Sequence, residues 1–325
     1  MIYKKILLKT LLFILLVVGS VEITYRLNPF DKQEFEEDYS ATIIDKHHRL
    51  DSLKSPKIVL IAGSNFAYGI NSELIEKAFN RPVVNMAIHY SLGTDFMLRQ
   101  LENKLNRGDI VIMGFEYIAD SKGDITEKML AERYYPEANN WYEFDNIYEE
   151  VNQQIQFRIS TFRRILTKLT SPKPVKPTIE DTTSFFFRSG VNQYGDLVSH
   201  LNNPSLSVIP NVEINDKKEM TEPIRDMNRF TQKMKSKGVS CYYTYPSYGQ
   251  SSYKTDKPIL DKMDAELHKK GRFIILGKMQ DFVYPDSLLQ DMVFHLNAKG
   301  RDIRTNQIIE LLKPYLSKSQ PSKEN

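Results

Sequence analysis

A serine near the start of the chain and a histidine near its end are the residue types that nucleophilic catalysis requires. Ser64 follows the apolar run at 58–62 after a single glycine, and His295 follows Asp291 by four residues. A serine hydroxyl becomes an effective nucleophile when a histidine takes its proton, and a carboxylate can hold that histidine in one tautomer. These three residues therefore predict a base-activated serine site, in the chain order serine, aspartate, histidine.

The segment around Ser64 is predicted to form a strand, a tight turn and a helix. The run at 58–62 has the length and β-branched content of a buried strand, and a helix with apolar residues three and four apart begins near Asn71 or Ser72. In an open α/β sheet such a turn lies at the carboxyl end of a strand, where these folds bind their ligands. The alternative is structural: Ser64 is only the small residue that a tight turn prefers, and His295 is only a helix-entry residue.

Strands and helices alternate over most of the chain, which predicts an α/β fold with a parallel sheet and helices on both of its faces. The predicted strands cover residues 58–62, 82–86, 110–115, 239–245 and 273–276, and the predicted helices cover 72–79, 94–106, 222–237, 257–270 and 298–312. A doubly wound sheet would bring the turns that carry Ser64 and His295 to the same edge.

The first 27 residues combine a basic start with a long apolar stretch. Three lysines lie at positions 4, 5 and 9, and the apolar stretch at 6–23 is almost long enough to span a membrane. We interpret residues 1–27 as an uncleaved signal anchor, with the amino end in the cytoplasm and the rest of the chain across the membrane. A cleaved signal peptide is the alternative, because Val18-Gly19-Ser20 has the small-residue spacing of a cleavage site.

The remaining chain divides by composition. Residues 28–55 are predicted to form a polar stalk or a peripheral helix, 56–316 the α/β domain with a mainly helical insertion at about 120–214, and 317–325 a disordered tail. The insertion contains a basic amphipathic helix at 155–169, interpreted as a solvated face with membrane or partner contact as the alternatives. It also contains a proline-rich linker at 171–177.

The composition argues against several classes of function. With 44 basic and 41 acidic side chains, the net charge of +3 does not favour a nucleic-acid partner. The single cysteine, Cys241, excludes an intrachain disulfide and is predicted to be a buried core residue. His47 and His48 lack further ligands at metal spacing and are expected on the surface of the stalk.

Four short motifs resemble those of the SGNH (GDSL-like) hydrolase family, and the closest likeness is to membrane-anchored bacterial members that occur with cell-surface polysaccharide genes. The resemblance covers roughly residues 56–118 and 220–313, and its most specific piece is the run His-Leu-Asn-x-x-Gly after an aspartate. The motifs are the Gly63-Ser64 turn, the loop around Asn85, the Gly114-containing end of the third strand and the block from Asp291 to His295.

The resemblance implies a flavodoxin-like doubly wound sheet in which Ser64 is the nucleophile, His295 the general base and Asp291 its orienting acid, with Asp286 as the alternative acid. It implies a serine acyl-hydrolase or acyltransferase that removes or moves ester-linked acyl groups, such as O-acetyl, of a cell-surface glycan. Such a protein would be anchored once in the bacterial inner membrane and face the periplasm, or be secreted if the amino terminus is cleaved. The expected partners are the acylated glycan, the membrane and a membrane protein, and no metal or organic cofactor is implied.

One departure from the family pattern concerns stabilisation of the oxyanion. The family usually places an oxyanion-donating asparagine after the third strand, whereas this chain has Glu116 there. A carboxylate cannot donate unless protonated, and losing one oxyanion donor costs about 3 kcal/mol of transition-state stabilisation. We expect Asn65 to take that place, together with a backbone donor at Ser91 or Gly93, and Glu116 to be either a pocket carboxylate or a cap at the rim.

The same departure leaves other functions open. A catalytically inactive family member that binds glycan or scaffolds a membrane assembly is the main alternative, and a lipid esterase with an apolar groove beside Ser64 is a third. His89 lies in the loop near the predicted pocket and is expected to be structural or exposed rather than a substrate contact.

Overall fold

The computed structural model describes residues 2–170, 185–214 and 218–316. The chain divides into two compact units, the smaller from residues 1–38 and 143–176 and the larger from residues 39–142 and 177–325. The predicted proline-rich linker at 171–177 and the predicted tail at 317–325 lie outside the described residues.

The helices and strands are numbered here in chain order. The helices are α1 (Ile2–Arg26), α2 (Asp31–Glu37), α3 (Thr42–Ser52), α4 (Ser64–Gly69), α5 (Ser72–Phe79), α6 (Thr94–Arg99), α7 (Ile125–Tyr134), α8 (Ile147–Thr170), α9 (Thr221–Ser236), α10 (Gln250–Lys270) and α11 (Ala298–Leu316). The strands are β1 (Ile58–Ile61), β2 (Val83–Asn85), β3 (Ile110–Met113), β4 (Ser240–Thr244), β5 (Tyr248–Gly249), β6 (Ile274–Leu276) and β7 (Val283–Tyr284).

The larger unit is an α/β structure built on a parallel sheet. Five strands lie in the order β2-β1-β3-β4-β6, and all four neighbouring pairs are parallel. Strands β1, β2 and β3 are buried along their whole length, which is why they read as continuous apolar runs instead of alternating ones. A second, two-stranded parallel sheet pairs β5 with β7.

The strand order places helices on both faces of the sheet. The chain moves outward from β1 to β2 through α5, then crosses over and moves the other way through α6 to β3 and through α9 to β4. Because parallel crossovers are right-handed, a reversal of direction moves the crossover helices to the opposite face. Consistent with this, α5 packs against α11, whereas α6 packs against α9.

Two segments of the larger unit differ from their predictions. Residues 39–52 were expected in a polar stalk, but Ile43 and Leu50 are buried and α3 packs near β2, because the apolar side chains of this short helix repeat at helical spacing. His47 is also buried rather than on a surface, and its ring packs in a cluster with the rings of Tyr135 and Trp141. The predicted helix at 94–106 ends already at Arg99.

The predicted insertion is shared between the two units. Residues 187–200 belong to the larger one and are fastened to it by Asp196, which is fully buried. The Asp196 carboxylate accepts hydrogen bonds from the Ser72 N–H and hydroxyl, from the Asn85 side chain and from Arg301. This part of the insertion is therefore integral to the α/β core.

The smaller unit consists of α1, α2 and α8. Among the described residues, α1 is the one helix long and apolar enough to cross a membrane, with a mean hydropathy of 2.4 over its most apolar window. Helix α8 starts eight residues before the predicted basic helix and packs against α1. Cys241, in β4, is buried in the larger unit, as predicted.

Candidate active site

The structure brings Ser64, His295 and Asp291 together. Ser64 is the first residue of α4, three positions after the end of β1, so its side chain lies at the carboxyl edge of the parallel sheet. Its Oγ lies 2.8 Å from Nε2 of His295, and Nδ1 of the same ring lies 2.8 Å from Oδ1 of Asp291. These are hydrogen-bond distances between the nucleophile, base and orienting acid that serine catalysis requires.

A compact loop folds Asp291 back onto the histidine ring. The backbone N–H of Gln290 donates to the carbonyl of His295 at 2.8 Å, and the N–H of His295 donates to the carbonyl of Met292 at 3.1 Å. Leu289 and Leu296 form an antiparallel bridge at the neck of the loop. Asp286, the alternative acid, accepts instead from the backbone N–H of Ser251 and lies outside this loop.

Tyr68 supports the histidine from its ring face. The Tyr68 and His295 rings stack with centroids 3.8 Å apart and planes only 8° apart, and the Tyr68 hydroxyl donates to Oδ2 of Asp291 at 3.5 Å. Burial and the nearby Asp291 charge raise the pKa of Tyr68 well above its usual value, so its hydroxyl stays protonated. Tyr68 thus restricts both the ring and its acid partner.

Behind Tyr68 lies a second histidine. The centroids of the His200 and Tyr68 rings are 4.4 Å apart, and burial lowers the pKa of His200 to about 3. The His200 ring is therefore neutral at physiological pH and adds no positive charge beside the imidazolium that His295 would form.

Glu116 holds the turn on which Ser64 stands. Its carboxylate is buried, and its two oxygens accept from the N–H of Gly63 at 3.1 Å and from the N–H of Asn65 at 2.9 Å. A Cβ on Gly63 would lie 2.5 Å from both oxygens, so only glycine fits there. Of the two roles expected for Glu116, the structure favours the cap: the carboxylate binds the residues on either side of the nucleophile.

Arg304 holds the same turn from the opposite side. Its guanidinium is fully buried and donates to the backbone carbonyl of Asn65 at 3.1 Å, to Oδ1 of Asn65 at 2.9 Å and to the carbonyl of Tyr245 at 3.0 Å. Burial lowers its pKa to about 10, which still leaves it charged at neutral pH. Asn65 is therefore tied between a buried carboxylate and a buried guanidinium.

This arrangement does not place Asn65 where an oxyanion donor would stand. The residue is fully buried, and its side-chain amide donates to the carbonyl of Gly114 at 2.8 Å. The backbone N–H of Gly93, which was expected to donate to the oxyanion, is also occupied. The Gly93 N–H donates to the carbonyl of Tyr90, and the left-handed φ of Gly93, +79°, fits a turn pressed against the Ser121 carbonyl.

The backbone that approaches the nucleophile turn in this loop is that of Tyr90. The Tyr90 nitrogen lies 2.7 Å from the point that a Cβ on Gly63 would occupy, next to the Glu116 carboxylate. Ser91 lies one residue further and is half-buried, with its carbonyl accepting from the N–H of Asp124. Within the described part of the chain, the N–H of Ser64 has no hydrogen-bond acceptor, so it is available to a ligand.

Two partly exposed aromatic residues lie near the site. Phe186 and Tyr90 are each 39% exposed, and the ring centroid of Phe186 lies 6.5 Å from that of His295. His89 is half-buried, and the centroid of its ring lies 5.9 Å from that of Phe186 and 5.0 Å from that of Tyr39. Phe186 is therefore close enough to His295 to pack on an organic substrate.

Other features of the larger unit lie away from this site. A cavity of about 410 Å³ is lined by α3 and by the turn at 191–195, and none of its lining residues belongs to the Ser64 constellation. Lys46, in its wall, is buried, donates to the carbonyls of Asn85 and Gly195, and has its pKa lowered to about 7 by burial. Over the described ranges, no three potential metal ligands come together.

Sequence reasoning missed Tyr68, Arg304 and Phe186. Tyr68 had a usable signal, because it follows Ser64 by four positions and residues four apart on a helix share a face. Arg304 had none, because a single arginine in an amphipathic helix is normally expected in solvent.

A scan of protein-family models finds no match to this chain, and no curated protein matches it either.

Proposed function

We propose that this protein is a membrane-anchored, extracytoplasmic serine acyl-hydrolase or acyltransferase of the SGNH type, acting on ester-linked acyl groups, such as O-acetyl, of a cell-surface glycan. The observation that carries the proposal is the pair of 2.8 Å contacts that join Ser64 to His295 and His295 to Asp291. Ser64 is 227 positions from Asp291 and 231 positions from His295 in the chain, so the fold brings the three residues together.

Acylation begins with attack of Ser64 Oγ on the ester carbonyl. As the O–C bond forms, the Ser64 proton passes to Nε2 of His295, and the hydrogen bond from Nδ1–H to Asp291 stabilises the imidazolium. Collapse of the tetrahedral intermediate breaks the ester bond, and the leaving sugar alkoxide takes the proton from Nε2. The products of this half-reaction are the free sugar hydroxyl and an acyl-Ser64 ester.

Deacylation reverses these roles with a new hydroxyl. The acceptor O–H gives its proton to Nε2 of His295 and attacks the acyl carbonyl, after which the Ser64 oxygen leaves and recovers the proton. Water as the acceptor makes the protein an esterase, and a sugar hydroxyl makes it a transferase. The partly exposed Phe186 ring, 6.5 Å from the His295 ring, would lie beside either acceptor.

Charge on the oxyanion would be stabilised by backbone groups. The N–H of Ser64 is the available donor on the nucleophile turn, because Glu116 already accepts from its neighbours Gly63 and Asn65. The Tyr90 amide, which borders the same turn, is a second candidate. With fewer donors than the full family pattern, we expect slow turnover compared with typical members.

The fold is compatible with this assignment. The parallel order β2-β1-β3-β4-β6 supports the proposal of a flavodoxin-like doubly wound arrangement, in which ligands bind at the carboxyl ends where the strand order reverses. Ser64 lies after β1, the strand from which the order runs in both directions. The apolar helix α1 would supply the membrane anchor.

A fluorophosphonate probe tests the proposal directly. The full-length protein in detergent micelles should form a covalent adduct, Ser64→Ala should abolish it, and Ser52→Ala, which changes a serine on the surface of α3, should leave it unchanged. Hydrolysis of short against long acyl esters then separates an acetyl esterase from a lipid esterase. Absence of labelling in a protein with a cooperative unfolding transition would contradict the catalytic assignment.

One observation favours a second function, an inactive glycan-binding or scaffold protein. The Glu116 carboxylate lies where an oxyanion-donating asparagine is expected, and it occupies two N–H groups of the nucleophile turn. If that carboxylate suppresses catalysis, the wild-type protein will not label, whereas Glu116→Asn will gain labelling.

A further inference from the structure

Helix α8 of the smaller unit carries a stripe of exposed apolar side chains. Six of them are between 46% and 80% exposed: Ile147, Tyr148, Val151, Ile155, Leu166 and Leu169. At 3.6 residues per turn, all six fall within an arc of about 100° around the helix axis. Arg158 also lies at the edge of this arc, where its side chain reaches Glu22. An apolar face of this width, over a helix of 24 residues, is more than the scattered exposed apolar residues of an ordinary protein surface.

The neighbouring arc of α8 is the one that packs against its own unit. Phe157, Thr161 and Ile165 are its buried residues, and the Phe157 ring meets the edge of the Tyr25 ring with centroids 6.2 Å apart. The two arcs meet at one edge, where Ile165 has the same angle as Ile147, and the rest of the exposed stripe faces away from the core of the unit.

Ionic contacts fix α8 beside the last turns of α1. The Arg158 guanidinium donates to Glu22 at 2.8 Å and lies over the Tyr25 ring at 4.9 Å. Further along α8, the buried Glu34 of α2 accepts from Arg164 at 3.2 Å and from Lys168 at 2.9 Å. Because these contacts hold both halves of the helix, the stripe has a fixed direction relative to α1.

Helix α8 contacts α1 near the end of the apolar length of α1. Glu22 and Arg26 are the charged residues that close the apolar length of α1, so they mark the level at which a spanning helix would leave the lipid. Arg158, at the middle of α8, contacts that level. An apolar helix face held at the lipid–water boundary can bury itself in the interfacial region, with its polar face towards water.

We propose that α8 is a second membrane contact, whose apolar stripe lies in the interfacial region of the bilayer at the surface from which α1 emerges. The inference rests on α1 being the anchor of the proposed function. The protein would then be attached to the membrane twice, by α1 spanning it and by α8 lying on its surface.

The test uses spin labels on the full-length protein in vesicles of phosphatidylethanolamine and phosphatidylglycerol. Cysteines are introduced on the stripe at Ile155→Cys and Leu166→Cys, and at the adjacent exposed positions of the polar face by Gln156→Cys and Thr167→Cys. The unsubstituted protein controls for labelling of the buried Cys241. Collision rates are measured with oxygen, which concentrates in lipid, and with a water-soluble nickel chelate.

We expect oxygen collisions to exceed nickel collisions several-fold at 155 and 166 and the reverse at 156 and 167. Nickel-dominated collisions at the stripe would overturn the inference, and so would protection from both reagents, which would indicate a protein cover such as a second copy. A label at Leu12→Cys, within α1, reports separately whether the anchor is in lipid. Fluorophosphonate labelling of the same vesicles reports on Ser64, so failure of the stripe is distinguishable from failure of the anchor or of catalysis.

Discussion

Ser64 stands on a turn that two buried charged side chains hold from opposite sides, whereas His295 stands on a loop held by its own backbone and by a stacked ring. On the nucleophile side, the contacts come from Glu116 and Arg304, which are 51 and 239 positions from Asn65. On the histidine side, the loop contacts span only a few residues, and Tyr68 adds the ring stack.

The difference separates two kinds of dependence. Removing one partner from a buried charged network leaves unsatisfied groups in the core, so changes beside Ser64 should reduce both stability and reactivity. The Asp291 side chain is 23% exposed, so replacing its carboxylate leaves less of a buried charge unpaired and should reduce reactivity with a smaller effect on folding.

His295→Gln should lower the rate of fluorophosphonate labelling by about 1,000-fold or more, because the general base is lost while the side-chain volume is nearly kept. Because the His295 ring is buried and stacked on Tyr68, the urea-unfolding midpoint is measured on the same variant, and labelling is compared under conditions in which both proteins are folded. Labelling at the wild-type rate would show that His295 does not activate Ser64.

Asp291→Asn should lower the labelling rate by roughly 100-fold to 10,000-fold, because an amide no longer holds Nδ1–H in the reactive tautomer or stabilises the imidazolium. Asp286→Asn is the matched control, since its carboxylate contacts the Ser251 N–H and not the histidine. Equal losses in the two variants would argue against the assignment of Asp291 as the orienting acid.

Glu116→Gln should destabilise the protein by about 1–3 kcal/mol. The Gly63 and Asn65 N–H groups bind different oxygens of the carboxylate, and the amide NH2 of glutamine would set a donor against one of these two donors. Asp226→Asn changes another buried carboxylate, which accepts from Thr94 and Ser121. We expect both variants to lose stability in chemical unfolding, but only Glu116→Gln to lose labelling, by about tenfold. A rise in labelling would mean that the carboxylate inhibits Ser64 instead of positioning it.

Tyr68→Leu should slow labelling several-fold by releasing the His295 ring, whereas Tyr68→Phe, which keeps the stacked ring and removes only a 3.5 Å hydrogen bond, should remain near the wild-type rate. Measured together, the pair separates the contribution of the stack from that of the hydroxyl. Equal loss in both variants would assign the effect to the hydroxyl.

A final prediction concerns acid stability away from the site. Burial in a cluster of aromatic rings lowers the pKa of His47 from 6.5 to about 4, so between these values the unfolded chain binds a proton that the folded protein does not. Stability should therefore fall as the pH falls from 6.5 towards 4. In His47→Phe, which keeps a ring in the stack, the drop in melting temperature between pH 7 and pH 5 should be smaller; an unchanged drop would contradict this assignment.

Local sequence patterns determined much of the fold. Continuous apolar runs gave three of the parallel strands nearly to the residue, since strands buried on both faces need no polar positions, and helical spacing gave α5, α9 and α11. The block from Asp291 to His295 was also recognisable by itself, because four residues of a short loop suffice to fold a carboxylate back onto a ring. In the same way, a basic start and an apolar stretch identified α1.

The tertiary structure decided what depends on neighbours distant in the chain. Whether Glu116 faces solvent or caps the Ser64 turn, and whether Asn65 serves a ligand or a buried arginine, depends on how β3 and α11 pack beside β1. The burial of Ile43, His47 and Leu50 likewise follows from contacts with later segments. Short-range periodicity carries no information on such contacts, because the free energy that selects them comes from burying charged and apolar groups together once the sheet has formed.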